Sequence, residues 1–517
     1  MRARARKNQN AKTLVAVQAL VVTAAVWALT GCAGADERAT WSSETKTIET
    51  LKSIPADADY AMFLNWRSLA ERLDDEARTT LRLDERIAEE ADVPETRLLR
   101  VLLGDEDVGL DPDARVVAAF DEFEDETFIR LTAGVNDADR FEEFVASFED
   151  AGEIEEENGE RVATIDGEPA LRWNPGLARL SVPVENAAVE ARYQELVERE
   201  RSANRTLADD PRARRLALGE SDLSAWITLP PDAVAGLYDL YGEPIEQEAF
   251  DPNERIAMAL DFEKGVARFS FDYFFSERLR ARADFFSDSL DPTMIRYLPP
   301  EENYIVFGVS LNIPFVSTMP SVRDMAQKDF PLPVGALLES LEGDALVSMH
   351  GFTDELMPRV LMGFKLADEQ AIDNILAVMA FEGMESVGDH YVLDIDEDFS
   401  IFIARKDDLL YVSTTAADVE ALDENYAAPL GERRRYLTEL ARSPHFAFVD
   451  AKGIHESTSA STVSFLDLKE IFGFLEPFDY FASSGSMERV VVEIGYQRKE
   501  TDGFVATLDA MFSLEEL

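Results

Sequence analysis

One stretch of this chain occurs twice. Ile54-Pro55-Ala56-Asp57-Ala58-Asp59-Tyr60-Ala61-Met62-Phe63-Leu64-Asn65 returns as Leu298-Pro299-Pro300-Glu301-Glu302-Asn303-Tyr304-Ile305-Val306-Phe307-Gly308-Val309. Each copy reads as an apolar residue, a proline, a short acidic turn, a tyrosine and an apolar run. Proline fixes its own backbone and pushes the residue before it toward extended geometry. The apolar run that follows has the length and composition of a strand. Pro55 and Pro299 lie 244 residues apart, as do Tyr60 and Tyr304. Such an echo predicts two copies of one folding unit.

The residues after each opening support that expectation by their order. In the first copy, the spacing of Leu69, Leu73, Leu81 and Ile87 predicts a helix over 67–90, and a second helix follows Pro94. Strands are predicted at 115–120 and 127–134, separated by an acidic turn at 121–126. Asn136-Asp137 then opens a helix carrying Phe141, Phe144, Val145 and Phe148, followed by strands at 161–165, 170–173 and 178–182 and a helix over 186–200. The second copy gives strands at 345–350 and 359–366, and a helix opened by Asp368 with Ile372, Ile375, Leu376 and Met379. Strands at 391–395, 400–404 and 409–413 and a helix from Ala416 complete the series. Gly134 and Gly363 are 229 apart, and so are Gly159 and Gly388.

The tails also correspond. Residues 224–227 resemble 446–449. A long hairpin over 255–275, turning at Lys264-Gly265, is matched to 489–512, turning at Asp502-Gly503. The segment 192–218 reads as a basic–acidic solvated helix or excursion that the first copy alone has. Hairpins interspersed with helices, without regular βαβ alternation, predict an α+β fold in two tandem copies of a mixed antiparallel-sheet and helix unit. The domains expected are 1–31, 32–50, 51–290 and 291–517, with the groove between the copies as the default place for a ligand.

The amino terminus reads as an address. Arg2, Arg4, Arg6, Lys7 and Lys12 precede an apolar run at 13–29 (TLVAVQALVVTAAVWAL), which ends at Leu29-Thr30-Gly31-Cys32. These are the parts of a secretory signal. The Leu-Thr-Gly-Cys junction resembles the lipobox of bacterial lipoproteins, which implies cleavage before Cys32 and lipidation of its thiol. More than one acyl chain on that residue would anchor the protein stably where one chain is marginal. Ala33 rather than Asp after the cysteine points, by the same resemblance, to the outer membrane. Residues 33–50 are small and polar, as a tether would be. No later stretch has eighteen consecutive apolar residues, the length that marks a helical span.

Charge narrows the partners. The chain holds 50 basic and 102 acidic residues, a net charge of −52, and the predicted signal contributes only basic ones. That field repels nucleic acid and anionic headgroups and allows weak cation association. The partners expected are therefore a membrane, through lipidated Cys32, and a protein of the envelope. Cys32 is the only cysteine, so disulfides and cysteine-built zinc sites within the chain are excluded.

Recognisable catalytic sets are missing. There is no Gly-x-Ser-x-Gly elbow, phosphate-binding loop or Gly-x-Gly-x-x-Gly, and His350, His390, His445 and His455 form no zinc-binding spacing. Asp394-Ile395-Asp396-Glu397-Asp398 begins like a calcium loop but has Phe399 where glycine is required and Arg405 where glutamate is required. It reads as an acidic turn, as does 121–126. No catalytic residue, cofactor or metal is therefore assigned. The aromatic runs Phe271-Asp272-Tyr273-Phe274-Phe275, Phe285-Phe286 and 471–481 read first as packing and second as an exposed partner surface.

With the lipobox, the tether, Ile54-Pro55-Ala56-Asp57-Ala58-Asp59 and the helix start Arg67-Ser68-Leu69-Ala70 in order, the chain resembles uncharacterised bacterial envelope lipoproteins grouped as domains of unknown function. The resemblance carries no activity. The function expected is a non-enzymatic binding or structural role in the cell envelope. The alternative is an extracytoplasmic hydrolase, for example acting on glycan, with a carboxylate pair between the two units.

Overall fold

The computed structural model describes residues 42–83 (except 57 and 59), 107–147 (except 124–125), 151–183 (except 166–167), 195, 197–199, 202–228, 254–275, 285–319 (except 288 and 301–303), 340–352, 358–376 (except 369, 371 and 374–375), 384–460 (except 396–398) and 473–515. The predicted signal, Cys32, residues 33–41 of the tether and the helix expected after Pro94 lie outside these residues. Among the described residues the fold is α+β: antiparallel sheet with short helices packed on it.

The chain forms two compact units. The first draws on the first 229 positions, on Arg255–Glu263 and on positions 501–517. The second takes 230–254 and Lys264–Glu500. The units therefore do not divide the chain at one point near residue 290.

In the first unit, β1 (Tyr60–Leu64) pairs with β2 (Val116–Phe123) on one side and with β8 (Leu223–Thr228) on the other. Beyond β2 come β3 (Glu126–Gly134), β7 (Leu177–Pro183), β6 (Glu168–Trp173), β5 (Glu160–Ile165) and β4 (Ala151–Glu157). Beyond β8 comes β9 (Arg255–Glu263). The sheet order is thus β4–β5–β6–β7–β3–β2–β1–β8–β9, every pairing antiparallel.

Helices cover both faces of this sheet because both carry apolar residues. Helix α1 (Ser43–Lys52), capped by Ser42, buries Thr47, Thr50 and Leu51. Of the predicted helix over 67–90, positions 84–90 lie outside the described residues, and the described part is two short helices, α2 (Trp66–Arg72) and α3 (Asp75–Thr80). Asp74 is extended and caps α3 through the Ala77 N–H, and this break separates Leu69 from Leu81. Helix α4 (Ala138–Val145) starts where Asp137 accepts from the Asp139 and Arg140 N–H groups, a cap worth about 1 kcal/mol. It seats Phe141 edge-on against fully buried Trp173 at 5.6 Å, over Ala118, Leu131, Leu171 and Leu180. Each such side chain contributes about 1.5–3 kcal/mol of burial. Helix α5 (Pro211–Ala217) buries Ala213 and Ala217. This part of the predicted solvated excursion therefore packs, because its alanines fall at i and i+4.

The second unit is built around β11 (Ile305–Ser310), flanked by β12 (Leu341–Phe352) and β18 (His445–Val449). One direction continues through β13 (Pro358–Leu366), β17 (Leu409–Ser413), β16 (Ser400–Lys406), β15 (His390–Asp394) and β14 (Glu385–Val387). The other continues through β19 (Phe478–Gly485), β20 (Arg489–Tyr496) and β10 (Val266–Phe274). Its helices among the described residues include α6 (Ile313–Val316), α7 (Ala416–Glu420), α8 (Leu422–Ala427), α9 (Glu432–Leu440) and α10 (Ala451–Ala460), with a 3-10 turn at Pro292–Tyr297. That turn and α9 cover one sheet face, where Met294, Leu298, Leu437, Val306, Leu346, Tyr411 and Phe446 form the core.

Two expectations need correction. The stretch 489–512 is not a hairpin. Strand β20 pairs with β19, and Gly503–Glu515 is a helix of the first unit. Asp502 starts that helix by accepting from the Phe504 N–H, and Phe504 packs against Phe262 at 5.1 Å. The two tyrosines also differ in place: Tyr60 is the first residue of β1, whereas Tyr304 precedes β11.

Candidate functional site: an apolar sheet face

Strand β11 alternates in burial. Val306, Gly308 and Ser310 point to the core, while Ile305 and Phe307 on the opposite face are 39% and 46% exposed. Close packing on the core side fixes this orientation. A Cβ on Gly308 would come within 2.3 Å of the Phe446 ring, and one on Gly363 within 2.8 Å of the Tyr411 ring. Both aromatic rings thus lie on the core side, over glycines of β11 and β13.

Register identifies what surrounds Ile305 and Phe307. Ile305 pairs with Met349 and Val449, Phe307 with Val347 and Ala447, and Val309 with Ala345 and His445. On β13 the same rows continue as Val360, Met362 and Phe364. On the other side they continue as Phe481, Ser483 and Gly485 of β19, then Ile494, Val492 and Val490 of β20, then Ala267, Phe269 and Phe271 of β10. Across seven strands, no Asp, Glu, Lys or Arg occupies these rows. His445 and Ser483 are the polar positions, and burial pushes the His445 imidazole below its ordinary pKa, which favours the neutral ring. An antiparallel sheet with one solvated face alternates apolar and polar residues. Here the rows holding Ile305 and Phe307 are apolar, and the charged residues Arg268, Glu493 and Asp344 lie on the core side instead.

Of the aromatic residues singled out in the sequence, Phe271 and Phe481 lie on this face. Phe286 packs on His445 with ring centroids 5.0 Å apart. Tyr480 lies on the core side against Tyr436 and Phe448. Residues 471–472 lie outside the described residues. Ile305 and Phe307, the most exposed members of the face, belong to the repeated opening stretch and read there only as strand.

The buried charged groups are engaged in holding the fold. Lys46 donates to Asp111 at 2.7 Å, and Ser43 donates to the same carboxylate. Asp222 accepts from Ser68, Arg72 and the Phe262 N–H. Asp344 accepts from Ser310 and the Asp291 N–H; burial raises its pKa and these contacts only partly offset that. Asp450 caps α10 through the Gly453 N–H and pairs with Arg433.

One cluster combines the residue types of a catalytic triad. Buried His350 places Nε2 3.0 Å from Asp418 Oδ1, and Ser413 and Thr415 donate to Asp418 Oδ2 at 2.9 and 2.6 Å. Burial alone would raise the Asp418 pKa. The contacts from His350, Thr415 and Arg359 outweigh it and hold the carboxyl well below the usual carboxylate range. Nucleophilic catalysis needs the imidazole to take a proton from the hydroxyl. Here Ser413 and His350 both face the carboxylate, so no such relay exists.

Asp121–Phe123 and Glu126 belong to β2 and β3, with 124–125 outside the described residues. Asp394 ends β15 and accepts from Ser400, with 396–398 outside them. Among the described residues, no group of three His, Cys, Asp or Glu is placed to hold a metal ion. None of the described helices is long and apolar enough to cross a membrane.

The class these features define is an α+β sheet protein with an uncharged, partly exposed apolar face. No protein-family profile matches the chain, and no curated protein matches it. Solved structures of TP0453 are similar at a low level. Crystal form I is 12% identical at a TM-score of 0.27, covering 44% of this chain and 79% of that one. Crystal form III is 11% identical at 0.28, covering 47% and 88%. Scores this low leave the fold resting on the geometry of this chain alone.

Proposed function

We propose that this protein is a strongly acidic bacterial envelope lipoprotein, anchored through Cys32 and oriented on the outer membrane. Its role on this reading is binding rather than catalysis, and the binding surface is the apolar face centred on β11. The observation that carries the proposal is the exposure of Ile305 and Phe307 at the centre of strand rows that hold no charged residue. Neighbouring exposed apolar side chains in uncharged surroundings are features of interaction sites.

The units are also proposed to descend from a tandem duplication. Strand order supports this: β4–β5–β6–β7–β3–β2–β1–β8–β9 is followed position by position by β14–β15–β16–β17–β13–β12–β11–β18–β19. Gly159 and Gly388, with φ of +81° and +63°, turn the β4–β5 and β14–β15 hairpins respectively. On this alignment the proper counterpart of the β9–β10 segment is β19–β20.

Two measurements test the reading. Mass spectrometry of the amino-terminal peptide is expected to show acylated Cys32; an unmodified thiol or an intact residue 1 contradicts the anchor. A photoreactive phenylalanine analogue at position 307, illuminated in intact cells, is expected to give an adduct heavier than the chain. Recovery of only the free chain contradicts a binding role for this face.

A further inference from the structure

We propose that helix α5 and the turn before it form an arginine face that seats the first unit on anionic phospholipid headgroups, an assignment that rests on the Cys32 anchor proposed above. Pairing argues first. Among the described residues every lysine has an ion-pair partner. Every described arginine but three is engaged as well, by a carboxylate, a carbonyl or another interaction. The three are Arg205, Arg214 and Arg215, all exposed and all in one short stretch. In a chain with 102 acidic residues a carboxylate is the easiest partner for an arginine to find, so a cluster left without one is open to an anion from outside. Local structure keeps it open. Ala213 and Ala217 face inward and the Leu216 carbonyl accepts from Ser224 on β8, which leaves Arg214 and Arg215 on the outer side of α5. The nearest aspartates in sequence are committed. Asp209 accepts from the Thr206 N–H at 2.8 Å, and Asp210 caps α5 and pairs with Arg212. Position argues last. The Ala56 N–H donates to the Arg205 carbonyl at 3.1 Å and the Leu207 N–H to the Ile54 carbonyl at 3.0 Å, which ties the turn to the end of α1. Helix α1 spans about 15 Å, and its cap Ser42 lies ten residues after Cys32, a reach of at most about 35 Å. An acylated Cys32 therefore keeps this part of the unit at the bilayer. The net charge of −52 is screened beyond about 8 Å at physiological salt, so the groups that meet a headgroup are the local ones. A guanidinium fork matches phosphate oxygens, and a basic patch beside an acyl anchor adds a second membrane contact.

The test uses the full-length protein in vesicles of phosphatidylcholine, with and without phosphatidylglycerol, carrying an acceptor dye on the headgroups. Cys32 is the only cysteine and is acylated on this reading, so an added cysteine takes a donor dye alone. One donor is placed at Asn204→Cys, beside the arginines, and the other at Glu156→Cys on β4; both positions are exposed. Strand β4 lies seven strands from β8 in the sheet, a separation on the order of 30 Å. Energy transfer from 204 is expected to exceed that from 156 at least twofold in phosphatidylglycerol vesicles. The excess should vanish in pure phosphatidylcholine, at high salt, and in Arg214→Glu/Arg215→Glu; Arg214→Gln/Arg215→Gln should fall between. Equal transfer from the two positions in phosphatidylglycerol vesicles overturns the inference. An excess at 204 that is unchanged in pure phosphatidylcholine and in both double variants also overturns it, since the tether alone would then set the approach. Full-length protein that washes off phosphatidylcholine vesicles refutes the anchor. In that case binding to phosphatidylglycerol vesicles that salt and the glutamate variant abolish would still uphold the arginine face, and its absence would overturn that too.

Discussion

Arg434 is the side chain on which the second proline stretch most depends. It is fully buried on α9 and meets no carboxylate. Its guanidinium donates to the carbonyls of Arg296 at 3.0 Å, Leu298 at 3.3 Å, Asn425 at 2.8 Å, Ala428 at 3.2 Å and Pro429 at 2.7 Å. Burial lowers its pKa, and neighbouring Arg296 lowers it further. Consider Arg434→Met, which keeps most of the stem volume and removes every donor. Each hydrogen bond to a charged group contributes about 1.5–3 kcal/mol, and a bare sum over five carbonyls would overshoot because they relax together. Breaking a buried charged network costs about 3–5 kcal/mol, so we expect a loss of about 4 kcal/mol. With a urea slope of about 2 kcal/mol/M, the unfolding midpoint should fall by about 2 M. Arg434→Lys should recover less than half of that, because a single ammonium cannot reach carbonyls spread around the fork. A midpoint shift below about 0.5 M for the methionine variant, at unchanged slope, would refute this account of the core.

Three further perturbations probe other parts of the fold. Gly308→Val drives a side chain into the Phe446 ring and should cost about 1–3 kcal/mol, with the added change Phe446→Leu restoring part of it in a thermal-melt cycle. Asp418 has a folded pKa below its unfolded value, so the stability it contributes is present above the unfolded pKa of about 3.9. It is lost as pH falls through that value toward the lower folded one. Asp418→Asn should flatten stability against pH below about 4 in urea melts, and an unchanged acid limb would count against the network. Asp502→Ala removes both the helix cap and the ion pair with Arg72 at 2.6 Å, for an expected loss of about 1–2 kcal/mol. Faster amide exchange at Phe504 in that variant would support the capping role.

Much of the sheet is legible in the sequence. Strands β2, β3, β5 to β8 and β11 to β18, except the short β14, have the apolar content or alternation that strand assignment needs. Strands β4, β14 and β19 are not legible: β4 and β14 read AGEIEEE and ESV, end their sheets and lack an apolar face, while FDYFASSG of β19 reads as an aromatic packing run. The C-terminal helix reads as a strand in the sequence because Phe504, Val505, Ala506 and Ala510 suit either period. The Asp502 cap and the contact with Phe262 decide for helix. The candidate face was harder to see. Runs such as Val490-Val491-Val492 imply that both sides of a strand are apolar, but only register shows which residues share a face and which remain exposed. Phe307 and Ala447 are 140 residues apart in the chain and meet only in the sheet.

The most direct test of the central claim compares two equally exposed apolar positions. Phe307 and Val387 are both 46% exposed, the first in the middle of the proposed face and the second on β14 at the end of the sheet. With the same photoreactive residue placed at each and illuminated in intact cells, the account predicts a bound adduct at 307 in large excess over 387. Equal yields at the two positions would contradict it.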